Sequence, residues 1–167
     1  MGPLTPLAQL FVSRTKIMNN KFSAWAGWIH RNGLEGIKLP GVYAIALCDK
    51  DISGKPFEWR QDIIYVGMTN SKGGLKSRLQ QFETTIKGGD GHGGAHRVRY
   101  KYPDPNLLIP RLYVSICASN CDVMTNQPAD LRAMGKVAKL EYDCFAYFVE
   151  VFHSLPEFND KKRSPKK

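Results

Sequence analysis

The chain has 167 residues, 43% hydrophobic and 23% charged, with a formal net charge of +9. That length suits one domain around one sizeable core, and the composition is ordinary for a globular protein. No apolar run approaches the roughly 18 residues of a membrane span. The N-terminus lacks the basic start and compact apolar stretch of a secretory signal, so a cytoplasmic location is expected.

Residues 6–18 read as a short helix with Leu7, Leu10 and Phe11 on its apolar side. A second helix is expected over 20–32, with Phe22, Trp25, Trp28 and Ile29 on one face and Gly33 as its stop. The first forty residues carry Arg14, Lys16, Lys21, Arg31 and Lys38 against Glu35 alone. They form an N-terminal helical extension, residues 1–40, ahead of a catalytic domain at 41–160.

GVYAIALC at 41–48 and DIIYVG at 62–67 read as two strands joined by a long polar loop with Ser53-Gly54 and Pro56. Side chains alternate along a strand, so Tyr43 shares a face with Ile45 and Leu47, and Tyr65 with Ile63. If the strands pair, both phenols point to one side of the sheet.

Residues 74–87 look helical, because Leu75, Leu79, Phe82 and Ile86 make one stripe that Gly88-Gly89 ends. GGDGHGG at 88–94 reads as a very flexible loop. Residues 96–102 alternate His96, Val98, Tyr100 and Tyr102 with Arg97, Arg99 and Lys101, a strand with one basic face. RLYVSIC at 111–117 is a further strand. A long helix begins near Pro128, runs to about His153 and is broken by Leu155-Pro156.

The last seven residues hold Lys161, Lys162, Arg163, Lys166 and Lys167 and no acid, and without these five cations residues 1–160 carry +4. Residues 161–167 read as a disordered arm that meets phosphates or merely solubilises. The whole balance suits a polyanion better than a membrane, since no basic helix has a clean apolar face. Cys48, Cys117, Cys121 and Cys144 read as reduced thiols. Cys117 and Cys121 are spaced like half a zinc site, but no second pair completes it.

Glu141 is the most telling single residue. Its neighbours one turn away are Val137, Ala138, Cys144 and Phe145, with no cation at helical spacing. A carboxylate on an apolar face must be neutral, paired from another element or bound to a cation. Magnesium takes few protein carboxylates and completes its shell with water and phosphate oxygens. Arg78, at the edge of the 74–87 stripe, can grip a phosphate with two hydrogen bonds. Tyr43 and Tyr65 add phenols, which a nearby cation pushes toward the phenolate. Lys72 sits in a Gly/Ser-rich loop that can hold phosphate but matches no Walker pattern. His92 and His96 can donate to a phosphate or protonate a leaving oxygen. Lys72, Lys76, His96, Arg97 and Arg99 are the residues expected against a nucleic-acid backbone.

Together these residues resemble the GIY-YIG nuclease family. Gly41-Val42-Tyr43 stands for the first motif and Tyr65-Val66-Gly67 for the second, followed by Met68-Thr69. Gly74-Leu75-Lys76-Ser77-Arg78-Leu79 looks like the arginine helix, and Leu140-Glu141 with Pro156 and Asn159 like the glutamate helix and closing turn. The resemblance covers about residues 41–159. It implies a small α+β domain, a three-stranded antiparallel sheet flanked by helices.

By the same resemblance, Tyr43 is the general base or water-orienting group, Tyr65 and Arg78 hold the scissile phosphate, and Glu141 binds one Mg²⁺ or Mn²⁺. The reaction is one-step hydrolysis by water. The chain departs from the family in its longer Tyr43–Tyr65 connection and its lengthened loop before Arg78, where Lys72 resembles the extra cation of restriction-type members. Phe82 also stands where many members have a histidine, so His92 or His96 is expected to compensate.

The absence of a second domain suggests a bacterial type II restriction endonuclease that cuts double-stranded DNA, as a homodimer when both strands are cut. A repair or mobile-element nuclease, a non-cutting module of the same fold, and a basic RNA binder that stacks bases on Tyr100 and Tyr102 are the alternatives.

Overall fold

A computed structural model of the chain describes residues 2–19 and 21–166. In order it contains α1 (Pro6–Asn19), β1 (Ala26–Gly27), a 3₁₀ turn (Trp28–Gly33), β2 (Gly41–Leu47), β3 (Ile63–Thr69), α2 (Gly74–Ile86), α3 (Gly93–Lys101), α4 (Pro105–Leu108), a second 3₁₀ turn (Ile109–Arg111), β4 (Leu112–Ala118) and α5 (Pro128–Phe152). Residue 20, the Lys16 side chain and Lys167, all named in the expectations above, lie outside the described residues. No helix among the described residues is long and apolar enough to cross a membrane.

The sheet has four strands in the order β1-β4-β2-β3, each neighbouring pair antiparallel. The expected three strands are therefore one short, and the α+β class stands. β2 is flanked on both sides and Gly41–Ala46 are all buried, as a central strand of small and β-branched residues requires. One face of the sheet, with Tyr43, Ile45, Val114 and Ile116, packs against Leu75, Leu79, Phe82 and Ile86 of α2 and Ala95 and Val98 of α3. Val42, Ala44, Ala46 and Val66 point the other way, toward Val137, Cys144 and Phe148 of α5. The apolar stripe read for α2 is this buried face.

The extra strand comes from the segment expected as a helix over 20–32. Trp25 and Trp28 are only three residues apart but serve opposite faces of the sheet. Trp25 stacks on Phe57, centroids 5.3 Å apart, whereas Trp28 packs on Phe82 at 5.3 Å. One helix face cannot do both, so the chain extends past the sheet edge. Ala26 and Gly27 pair with Val114 and Tyr113, and Ile29 is left 72% exposed. Residues 21–40 therefore belong to the folded body, and α1 alone is an appendage. Its Leu7 and Leu10 are exposed, while Phe11 stacks on Tyr147 of α5.

The expected basic strand at 96–102 is also a helix. His92 caps it, its Nδ1 accepting from the Ala95 amide at 3.2 Å. Gly94, Ala95, Arg97 and Val98 are its buried residues, a helical stripe in place of a two-residue alternation. The cations Arg97, Arg99 and Lys101 are thus spread around a cylinder instead of along one sheet face.

Two further contacts hold the frame. Arg31 is buried in an ion pair with Glu83, and it donates to the Trp28 carbonyl at 3.0 Å and to Gln80 Oε1 at 3.1 Å. Trp28 Nε1 donates to Glu83 Oε2 at 3.2 Å. These bonds clamp the first 3₁₀ turn to α2. At the other end Asn159 closes the edge of β3. Its Nδ2 donates to the Val66 carbonyl at 2.7 Å and its Oδ1 accepts from the Val66 amide at 2.8 Å. The Phe158 amide donates to the Ile64 carbonyl at 3.0 Å, so the open strand edge is covered.

Beyond Asn159 the expected free arm is a set of turns. The Ser164 amide donates to the Asp160 carbonyl at 3.0 Å, Arg163 donates to the Leu155 carbonyl at 2.8 Å, and Ser164 is buried.

Candidate active site

Tyr43 stands opposite Gly67 in the β2–β3 ladder, and Tyr65 opposite Ile45. Both phenols therefore share the α2 side of the sheet, with ring centroids 6.1 Å apart. Gly67 makes this arrangement possible. A Cβ there would lie 2.5 Å from the Tyr43 hydroxyl oxygen and 2.9 Å from Tyr65 Cε1. Gly94 does the same from α3, where a Cβ would meet Tyr65 Cε2 at 2.3 Å. The Tyr65 ring therefore lies against two glycines, one on β3 and one on α3.

His92 is 1% exposed, and its Nε2 is 2.7 Å from the Tyr43 hydroxyl oxygen. Burial lowers its pKa to about 3, helped by the charges of Arg78 and Arg97, so the ring is neutral near pH 7. Its Nδ1 accepts from Ala95, which leaves the single proton on Nε2. His92 therefore donates to Tyr43. The ring is enclosed, as Tyr43 itself is, and its proton is directed to the phenol.

Burial drives the Tyr43 pKa well above the ordinary phenol value. Tyr65 adds to the rise and Arg78 opposes it. Tyr65 is also raised by burial, against the charges of Arg78 and Arg97. Burial outweighs the charge of Arg78 at both phenols, so each keeps its proton near neutrality in this environment.

Arg78 is half-buried on α2. It donates to Gln81 Oε1 at 2.9 Å, and its charge acts on Tyr43, Tyr65, His92 and Glu141 together. Glu141 comes from α5, on the other layer of the molecule. It is half-buried and has no ion-pair partner within the described residues. Burial raises its pKa, while Arg78 and the Met68 amide of β3 hold it down. The charge of Glu141 nevertheless acts on both Tyr43 and Tyr65. The Asn70 amide, bonded to the Met134 carbonyl at 3.1 Å, ties the end of β3 to α5.

No group of three or more His, Cys, Asp or Glu residues among the described residues can hold a metal ion. All four cysteines are free thiols. A lone unpaired carboxylate beside a phosphate-sized cationic group still fits Mg²⁺, which keeps its waters.

The other expected residues scatter. Lys72 is exposed. The loop that carries it is closed by main-chain bonds. Gly74, Leu75 and Lys76 amides donate to the carbonyls of Ser71, Leu39 and Ile37 at 3.0, 2.9 and 2.6 Å, so they are not open to phosphate. Gly74 needs its φ of 63° there, and a Cβ would lie 2.2 Å from the Lys38 carbonyl oxygen. Lys76 is exposed beside it.

His96 pairs with Asp90 at 2.7 Å, and Arg99 donates to the carbonyls of Thr85 and Gly89 at 2.9 and 3.0 Å. Both residues fasten the glycine-rich loop instead of facing a ligand. Tyr102 packs on Phe158, which removes it as a base-stacking platform, while Tyr100 is exposed. The residue whose place the sequence hid is Arg97. It is 6% exposed, its Nε donates to the Phe158 carbonyl at 2.8 Å, and its charge reaches both Tyr65 and His92. The helical spacing of Gly94, Ala95 and Val98 was the available signal.

No protein-family model, curated protein or solved structure matches the chain.

Proposed function

We propose that the chain is a metal-dependent endonuclease of GIY-YIG type that hydrolyses phosphodiester bonds of double-stranded DNA, most nearly a type II restriction endonuclease. One observation carries the reading: Tyr43 and Tyr65, from β2 and β3, lie with ring centroids 6.1 Å apart, and the opposite charges of Arg78 from α2 and Glu141 from α5 both act on them. A carboxylate without an ion pair and a guanidinium among buried phenols is a costly arrangement for stability alone. It suits a site that neutralises a phosphate.

In this reading Arg78 grips the scissile phosphate with paired N–H donors. Tyr65 donates its hydroxyl proton to a phosphate oxygen. Tyr43, its oxygen held by the His92 N–H, orients the attacking water. Glu141 would hold Mg²⁺ or Mn²⁺, which would supply polarisation of the phosphate and a lowered pKa for a bound water. Water adds to phosphorus as the P–O ester bond breaks; the proton that the water loses goes to solvent, and the departing oxygen takes one up from solvent. Cutting both strands requires a second copy, which makes a homodimer part of the proposal.

The test is supercoiled plasmid incubated with the full chain in Mg²⁺, Mn²⁺ or EDTA. Nicked or linear product only with metal is the expected result. Intact plasmid under every divalent cation, with DNA still bound, would leave a binding module in place of the enzyme.

A further inference from the structure

Arg97 also lines a cavity of about 260 Å³ whose other walls include Lys101, Glu157, Phe158, Arg163 and Ser164. Lys101 and Glu157 neutralise one another at 2.5 Å. Arg97 and Arg163 have no acidic partner among the described residues; they donate only to the main-chain carbonyls of Phe158 and Leu155. Ser164 is 5% exposed, and its hydroxyl has no hydrogen-bond partner. Buried polar groups are almost always satisfied. A recess with two uncompensated guanidiniums, one of them buried, and an orphaned hydroxyl is built for an anion with several acceptor oxygens.

We propose that this cavity binds a second phosphate of the nucleic-acid strand, held by Arg97 and Arg163 with the Ser164 hydroxyl as a further donor. The assignment to nucleic acid rests on the nuclease reading above, because α3 carries both Arg97 and Gly94, whose backbone lies against the Tyr65 ring, and so joins the two sites. The segment read as a free basic arm becomes one wall of a defined subsite, and the site engages a polynucleotide in preference to an isolated phosphate ester.

The experiment measures binding of a labelled DNA duplex by anisotropy over a range of NaCl. It uses the full chain with Glu141→Gln in EDTA, so that nothing is cut. Arg163→Gln is expected to weaken binding and to lower the slope of log K against log salt by about 0.9, the value for one phosphate contact. Arg163→Lys restores most of the slope. Ser164→Ala weakens binding with the slope intact, since no charge is lost. Lys161→Gln, on the exposed side of the same turns, changes the slope by much less.

An unchanged slope in Arg163→Gln overturns the subsite. So does an equal fall in Lys161→Gln, which would mean diffuse tail charge. Inorganic phosphate that occupies the cavity without displacing DNA would assign it to a free anion and overturn the proposal as well. A wild-type chain that cuts plasmid while Arg163→Gln keeps its slope loses this subsite alone. One that never cuts while the slope falls loses the nuclease reading alone.

Discussion

The neutral His92 ring donates from Nε2 to the Tyr43 hydroxyl oxygen across 2.7 Å, because its Nδ1 is occupied by the Ala95 amide. The helix cap and the candidate water-orienting phenol are thereby one device.

That device predicts a pH dependence. His92 stays neutral in the folded chain down to about pH 3, whereas an ordinary histidine titrates near 6.5. The unfolded chain therefore binds the extra proton in that window. The contribution is fully present above pH 6.5 and is lost as pH falls toward 3, by up to about 1.4 kcal/mol per pH unit. His92→Asn keeps a capping oxygen for Ala95 but cannot titrate, so urea unfolding between pH 4 and 7 should show a flatter acid slope. Identical slopes in the two proteins would contradict this reading. Cleavage should fall in the variant even at pH 8, where both are fully folded.

Gly67 and Gly135 should respond oppositely to alanine. A Cβ at Gly67 collides with Tyr43 at 2.5 Å, whereas at Gly135, inside α5, nothing lies within 4 Å. Gly67→Ala should cost roughly 1–3 kcal/mol by overpacking and reduce cleavage at least tenfold by displacing both phenols. Gly135→Ala should add about 0.5–1 kcal/mol of stability with cleavage unchanged. Thermal unfolding and plasmid nicking read both.

Glu141→Gln removes a carboxylate that burial already disfavours. Stability should hold or rise slightly, DNA affinity in EDTA should stay within about twofold, and metal-dependent cutting should drop by a factor of 100 or more. In wild type the raised pKa sets a competition between proton and cation. Cleavage at low Mg²⁺ should fall as pH drops through that raised value, and saturating Mg²⁺ should move the fall to lower pH. An acid limb that ignores Mg²⁺ concentration would remove Glu141 as the metal ligand.

Arg31 and Glu83 fasten the first 3₁₀ turn to the helix that bears Arg78. Arg31→Met leaves Glu83 paired with Lys87, so it should cost about 1–3 kcal/mol from the lost partner instead of a stranded charge, and the double variant with Glu83→Leu should recover part of it. Equilibrium denaturation of the four proteins in the cycle gives the coupling. Near-additive losses would mean the pair is screened by solvent.

Much of the frame is legible in one dimension. The buried α2 stripe and the span of α5 follow from the local pattern, and Tyr43 and Tyr65 do share a face, but Ile63 does not lie with Tyr65 as alternation predicts, because the register shifts opposite Ile45 and Ala46. Periodicity failed where neighbours in the chain serve different layers. Trp25 and Trp28 part to opposite cores, and the alternation at 96–102 is accidental on a helix held by His92 and Gly94.

Order along the chain is enough to name the side chains with chemistry to offer: two phenols, a guanidinium beside an apolar stripe, and an acid with no helical partner. Tertiary structure alone decided their states. Enclosure by α2 and α3 keeps the phenols neutral, and the cap on α3 commits the His92 proton. Arg97 and Arg163 end beside one cavity because α3 and the closing turns meet there. Desolvation and charge proximity depend on distances through space, and no spacing along the chain encodes them.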